Sequence, residues 1–157
     1  MSKTKFIVIK DMADQGKTTL IWMVFLELLK QGATVVDFLD TWTKVKIYPT
    51  TIPAYAQRND IEAELTWKGR RIAIISHGDD IKDVDNSLQK MLKNNPDFII
   101  CAASIKCLGT SVWDLFETKY TNTMYERVCF WAEHAKNKQD ELLVKWSTVD
   151  AIVKYIA

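Results

Sequence analysis

Residues 6–20 read Phe6-Ile7-Val8-Ile9-Lys10-Asp11-Met12-Ala13-Asp14-Gln15-Gly16-Lys17-Thr18-Thr19-Leu20. Four consecutive apolar residues at 6–9 are the pattern of a strand buried on both faces. A polar stretch follows as far as Gly16. From Lys17 onward the apolar residues fall at Leu20, Ile21, Val24, Phe25, Leu28 and Leu29, the spacing of one helix face. A strand, a polar loop and a helix opening on Gly16-Lys17-Thr18-Thr19 together suit an anion. A helix N-terminus offers unpaired N–H groups and a partial positive charge, both of which favour phosphate. Gly16 lets the backbone approach without a Cβ, Lys17 reaches the outer phosphates, and the Thr18 hydroxyl is a donor of the kind that ligates Mg2+. Asp14, Gln15, Gly16, Lys17, Thr18 and Thr19 are therefore the candidate binding residues.

Outward from this segment, strands alternate with helices. Gly32 stands where a helix-ending glycine would, and 33–39 reads as a second strand. Residues 40–59 show no period, hold two prolines and read as a long loop. The β-rich runs 61–67 and 71–76 are joined by Lys68-Gly69-Arg70, a hairpin signal that makes 61–67 antiparallel to its partner. The wholly apolar 72–75 is expected to be central. A helix over 80–94 carries Asp83 and Asp85 near its start and Lys90 and Lys93 near its end, as its dipole favours. Residues 98–102 are another buried strand, 111–120 a short helix, 127–131 a last strand and 141–156 a closing helix. The class is α/β with a mostly parallel sheet.

Composition narrows the function. The chain has 157 residues, 48% hydrophobic and 26% charged, the make-up of one globular domain over 1–157. Against 20 Asp and Glu, 21 Lys and Arg leave no basic field for nucleic acid or an anionic membrane. The longest apolar stretch, 20–29, contains Glu27 and is too short to span a bilayer. The N-terminus lacks the apolar core of a signal segment. Cys101 and Cys129 lie in apolar runs and Cys107 reads as exposed, with no metal-type spacing among the three. A cytoplasmic protein without a disulfide framework is the expectation.

Asp11-Met12-Ala13-Asp14-Gln15-Gly16-Lys17-Thr18 resembles the Walker A motif of P-loop NTPases and kinases, with Asp11 where the pattern has its first glycine. The order of elements resembles small P-loop proteins over nearly the whole chain. The resemblance implies a three-layer, doubly wound P-loop NTPase-like sheet, mostly parallel with one antiparallel hairpin strand. It implies ATP or another NTP and Mg2+ as cofactors, and an acid at the end of a neighbouring strand to hold the metal. Strand 72–75 runs into Ser76-His77-Gly78-Asp79-Asp80, with Ser76 where that acid is often found. Asp79 is the candidate for the shifted role, beside Thr18 as the other metal residue; the alternative is that Asp79 or Asp80 caps the next helix. Asp37, near the end of its strand, is the candidate base toward an acceptor hydroxyl, or else a loop-facing carboxylate. Lys17, Asp37 and Asp79 are thus the catalytic candidates. His77 lies beside the site, placed to orient a water or phosphate. Lys106 is the one charge in the loop after 98–102. No Asn-Lys-x-Asp guanine-reading motif follows that strand, so adenine is favoured.

Six tryptophans are many for this length. Trp42 and Tyr48, in the long loop, are candidates to stack on a base; core packing with one protein-binding patch is the alternative. Two functions follow. One is a Mg2+-dependent ATP-binding protein that hydrolyses its nucleotide or transfers a phosphoryl group to a small-molecule acceptor. The other is a catalytically lapsed P-loop-fold adaptor that binds a protein partner through its aromatic surface, and Asp11 and Ser76 in place of glycine and acid favour it.

Overall fold

The apolar run that opens the chain lies in a strand with a neighbour on each side. In the computed structural model, β1 (Lys5–Asp11) pairs in parallel with Phe98–Ser104 and Glu126–Trp131. The structure describes residues 3–12, 16–48, 59–106, 109–132 and 138–157, without the side chains of 138, 139, 141 and 142. The remaining elements in chain order are α1 (Lys17–Lys30), β2 (Thr34–Asp40), β3 (Ile61–Trp67), β4 (Arg70–Ile75), α2 (Ile81–Leu92), β5 (Phe98–Ser104), α3 (Trp113–Thr118), β6 (Glu126–Trp131) and α4 (Lys138–Ile156). The six strands form one sheet in the order β2-β3-β4-β5-β1-β6. Only β3 runs against its neighbours, β2 and β4. The chain is a mixed α/β fold of three layers.

Alternation along the strands assigns each side chain to a layer. Ile7 and Ile9 join Ile72, Ile74, Ile100 and Ala102 beneath α1 and α4. Phe6 and Val8 join Ala73, Ile75, Ile99, Cys101 and Ala103 beneath α2 and α3. All four residues at 6–9 are fully buried, each contributing roughly 2 kcal/mol of apolar transfer. α1 is buried around most of its circumference, Leu20 through Phe25 without a break, because it lies between the sheet and α4. Trp22 is therefore a core residue. Cys101 and Cys129 are free thiols on the two strands flanking β1, both level with Val8. No helix among the described residues is long and apolar enough to cross a membrane.

β3 has the limits expected, β2 and β4 are displaced by one residue, and β1, β5 and β6 are longer than expected by one to three residues; the boundary that matters is at β2. It runs on to Asp40, so the carboxylate at its end is Asp40 rather than Asp37. Two connections leave the sheet in opposite directions. β1 feeds α1 on one face, while β5 leads to α3 on the other. The carboxyl ends of these adjacent strands are thus a point where the connections diverge, the kind of place at which open α/β sheets commonly bind ligands.

Gly78 supports that end of the sheet. A Cβ on it would stand 2.8 Å from the carbonyl carbon and oxygen of Ala102, backbone that is itself fixed within β5. Its own carbonyl accepts from Ser104 N at 2.8 Å. Gly78→Ala is expected to destabilise the protein by about 1–3 kcal/mol through this overlap, measured as a lower midpoint of urea unfolding with an unchanged slope.

Candidate functional site

The segment leading to α1 begins where β1 ends. Asp11 is the last paired residue of β1, level with Ser104, and its φ is outside the left-handed region. Glycine's freedom is therefore not needed there. The Asp11 Oδ1 accepts from Met12 N at 2.7 Å, and its carbonyl accepts from Ile105 N at 3.0 Å, tying the loop to the end of β5. The loop re-enters the helix through Gly16 at φ +88°, a conformation L side chains rarely adopt. No side chain caps α1. Asp14 and Gln15 lie outside the described residues.

Lys17 is not a solvated first-turn lysine. It is 5% exposed, and its Nζ donates to Met12 O at 2.6 Å and reaches Asp11 O at 3.4 Å, so its ammonium folds back along the loop. Thr18 and Thr19 follow, both half-buried. The Thr18 hydroxyl donates to Asp60 Oδ1 at 3.0 Å, and Ser76 Oγ donates to that same oxygen, also at 3.0 Å. Ser76 Oγ meanwhile accepts from Ile61 N at 2.8 Å, so the buried hydroxyl is satisfied in both directions.

Asp60 is the acid that sequence reasoning missed. It precedes β3, the one strand that runs backwards, so it begins where the parallel strands end. Ser76, which follows β4, joins the end of that strand to the Asp60 carboxylate through its hydroxyl. Several contacts hold Asp60 in place. Trp42 Nε1 donates to Oδ2 at 3.3 Å, and the Asp60 carbonyl accepts from Thr41 N at 2.9 Å and Thr41 Oγ1 at 3.1 Å. Buried Trp22 donates from Nε1 to Asn59 O at 3.1 Å, which fixes the preceding residue against α1.

Asp40 organises the approach to this acid. Its Oδ1 accepts from Trp42 N at 3.0 Å and Thr43 N at 3.1 Å, and its Oδ2 accepts from Asn59 Nδ2 at 2.9 Å. Burial opposes its charge, but these hydrogen bonds outweigh burial and hold its carboxyl below the usual carboxylate range. Asp37 lies three residues back on the edge strand. It is exposed, level with Glu64, and its Oδ1 accepts from Phe38 N at 3.0 Å.

Asp79 and Asp80 divide the roles considered for them. Asp80 caps α2, its side chain accepting from Asp83 N at 2.9 Å. Asp79 is left at the carboxyl end of the sheet, where its Oδ1 accepts from Ser104 Oγ at the end of β5. His77 turns to the α2 side, its Nε2 3.1 Å from Ser87 Oγ and 3.6 Å from Glu62 Oε2. Tyr48 rings Phe25 and Phe38 at 6.0 Å, whereas Trp42 is 57% exposed beside Asp60. Lys106 is exposed; Cys107 and His134 are outside the described residues.

Among the described residues, no group of three or more His, Cys, Asp or Glu is arranged to hold a metal by itself. The oxygens gathered here are one hydroxyl from α1 and one carboxylate from the start of β3. Such a set suits a hard cation that shares its remaining ligands with water and phosphate oxygens. Comparison with known protein families, with curated proteins and with solved structures finds no match for the chain.

Beside Asp60, the Glu62 side chain faces His77 and Lys90, with Lys90 Nζ at 3.4 Å from Oε1. The hydrogen bond with His77, aided by Lys90, overcomes burial and lowers the Glu62 carboxyl below its ordinary value. A carboxyl lowered on folding stabilises the protein above its unfolded-state pKa, and that stability is lost as pH falls through the lower folded value. Glu62→Gln should therefore unfold at lower urea than wild type at pH 7, by about 1 kcal/mol. The difference should close as pH falls below the ordinary carboxylate range. A constant difference between pH 7 and pH 3 would assign the loss to packing instead.

Proposed function

We propose that the chain is a Mg2+-dependent nucleotide-binding protein of the P-loop kind, with ATP as the favoured nucleotide, acting in hydrolysis or phosphoryl transfer to a small acceptor. The observation that carries this reading is the Asp60 carboxylate, whose Oδ1 takes a hydrogen bond from Thr18 in the first turn of α1 and another from Ser76 at the end of β4. Phosphoryl-transfer sites need a hydroxyl at the helix start and an acid at a strand end near it. Here the two are already joined, 42 residues apart in sequence. The two departures that favoured a lapsed site lose their weight: Asp11 occupies a strand position with no need of glycine, and Asp60 stands in for the acid that Ser76 replaces.

In this reading the α1 N-terminus and Lys17 bind the phosphates, and Thr18 with Asp60 holds Mg2+. The metal, when bound, neutralises charge on the phosphate oxygens. Asp79, bonded to Ser104 at the end of β5, is the carboxylate placed to orient an attacking water or acceptor hydroxyl. The exposed Trp42 ring is the surface on which a planar base can stack, and its indole bond to Asp60 fixes its position.

A second reading keeps the fold as a binding or adaptor module. It rests on the exposed apolar side chains next to the site, Trp42, Val45 and Ile47, the last 82% exposed.

Calorimetric titration with ATP and GTP, each with Mg2+ and with EDTA, separates the two. Wild type should bind Mg–ATP at micromolar to low millimolar concentration. Lys17→Ala should abolish binding, and Asp60→Asn should remove the gain that Mg2+ confers while leaving the fold intact by circular dichroism. Absence of binding at 5–10 mM nucleotide, a range of roughly millimolar Kd, would leave the adaptor reading standing.

A further inference from the structure

We propose that the chain forms a symmetric dimer through the open edge of β6, which pairs antiparallel with β6 of a second copy about a two-fold axis at Cys129.

The sheet has two edges, β2 and β6, and they differ. β2 is guarded against the addition of a strand. Its pairing with β3 shifts register between Val35 and Asp37, and the exposed Asp37 adds a charge. β6 is regular, pairing with β1 in unbroken register from Glu126 to Trp131. Val128-Cys129-Phe130-Trp131 holds no charge, glycine or proline. The neighbours of its first three residues on β1, Ile7, Val8 and Ile9, are fully buried. Val128, Cys129 and Phe130 are only half-buried, and Trp131 is 52% exposed. Among the described residues no strand lies on the other side of β6, so its outward N–H and C=O groups can accept one.

The sequence of β6 fits its own reversal, which is what commits the edge to a second copy. A two-fold axis normal to the sheet keeps each side chain on its own face, so facing positions differ by an even number of residues. Centring on Cys129 sets Arg127 opposite Trp131, Val128 opposite Phe130 and Cys129 opposite itself. All four uncharged residues are then used. Centring on Val128 would face Glu126 against Phe130, and centring on Arg127 would oppose two guanidinium groups. In the chosen register the charges are complementary. On the α3 face each Arg127 comes beside an indole, the kind of contact both residues already make within one copy. Arg127 lies 5.2 Å from the Trp113 ring, and Lys10 Nζ lies 4.9 Å from the Trp131 ring. On the other face, where Val128 and Phe130 pack against the α1 and α4 core, the register makes β-branched–aromatic pairs across the strands. One short strand per copy is a small interface, so the dimer should dissociate at roughly micromolar concentration.

The test is sedimentation velocity on wild type, without nucleotide, from roughly 1 to 200 μM. A dimer should appear as concentration rises. Trp131→Lys sets an ammonium opposite Arg127 of the second copy and should weaken the dimer roughly tenfold or more. Trp131→Glu sets a carboxylate there and should dimerise more tightly than Trp131→Lys. Circular dichroism checks that both variants fold. Facing residues of an antiparallel pair have Cα atoms about 4.5–5.5 Å apart, within disulfide range. Diamide, which takes two electrons and two protons from a pair of thiols, should therefore join Cys129 of the two copies, and Cys129→Ser should abolish the covalent dimer. A chain that stays monomeric over the whole range overturns the proposal. So does a dimer that Trp131→Lys and Trp131→Glu affect alike, or a covalent dimer that persists in Cys129→Ser.

Discussion

The structure depends on the burial of β1 on both faces and both edges. Its apolar residues alternate between two cores, Ile7 and Ile9 to one and Phe6 and Val8 to the other, while β5 and β6 saturate its backbone on either side. A strand held in this way has only its ends free. Lys10 and Asp11 carry the first charges beyond the apolar run, and the chain leaves the sheet there. The chain enters α1 through Gly16, whose positive φ is the conformation at the helix start.

Every other element at this end takes its position from that arrangement. β5 stops level with β1, at Ser104 and Asp11, whereas β4 ends at Ile75, level with Cys101, so Ser76 stands at the end of the shorter strand. The antiparallel β3 starts at the rim and so delivers Asp60. Hydroxyls at the strand ends then set the carboxylates: Ser76 and Thr18 hold Asp60, and Ser104 holds Asp79. Serines suit this rim because each hydroxyl donates to a carboxylate, and that of Ser76 also accepts from Ile61 N, without adding charge to a region that already holds several. Asp40 and Asn59 extend the network outward and anchor the start of the long loop to its end.

The polar rim and the apolar core are linked through α1. Trp22 fills the core with its rings and donates its one N–H to the Asn59 carbonyl, next to Asp60. Packing of the first helix against the sheet and α4 therefore also sets the position of the acid. The same helix contact brings Lys145 over Gly16.

Periodicity in the chain was enough to place the strands, the helices, the hairpin and the loop at Gly16, since each depends on neighbours within a few residues. Apolar runs at 6–9, 72–75 and 98–102 marked the three central strands because burial on both faces leaves no room for polar residues. The start of α1 after Gly16 was legible for the same local reason. Asp60 was not, because its importance comes from strand direction. An acid before a parallel strand would have stood at the opposite end of the sheet, and only the reversal of β3 brings it to Thr18. Asp37, read as a candidate base near the end of its strand, lies three residues before the end of β2, which pairing with β3 carries to Asp40. The sequence alone determined the layers and the loop, since local spacing decides which residues are buried. The tertiary structure decided which charges meet there, since those contacts depend on strand order and helix packing between residues far apart in the chain.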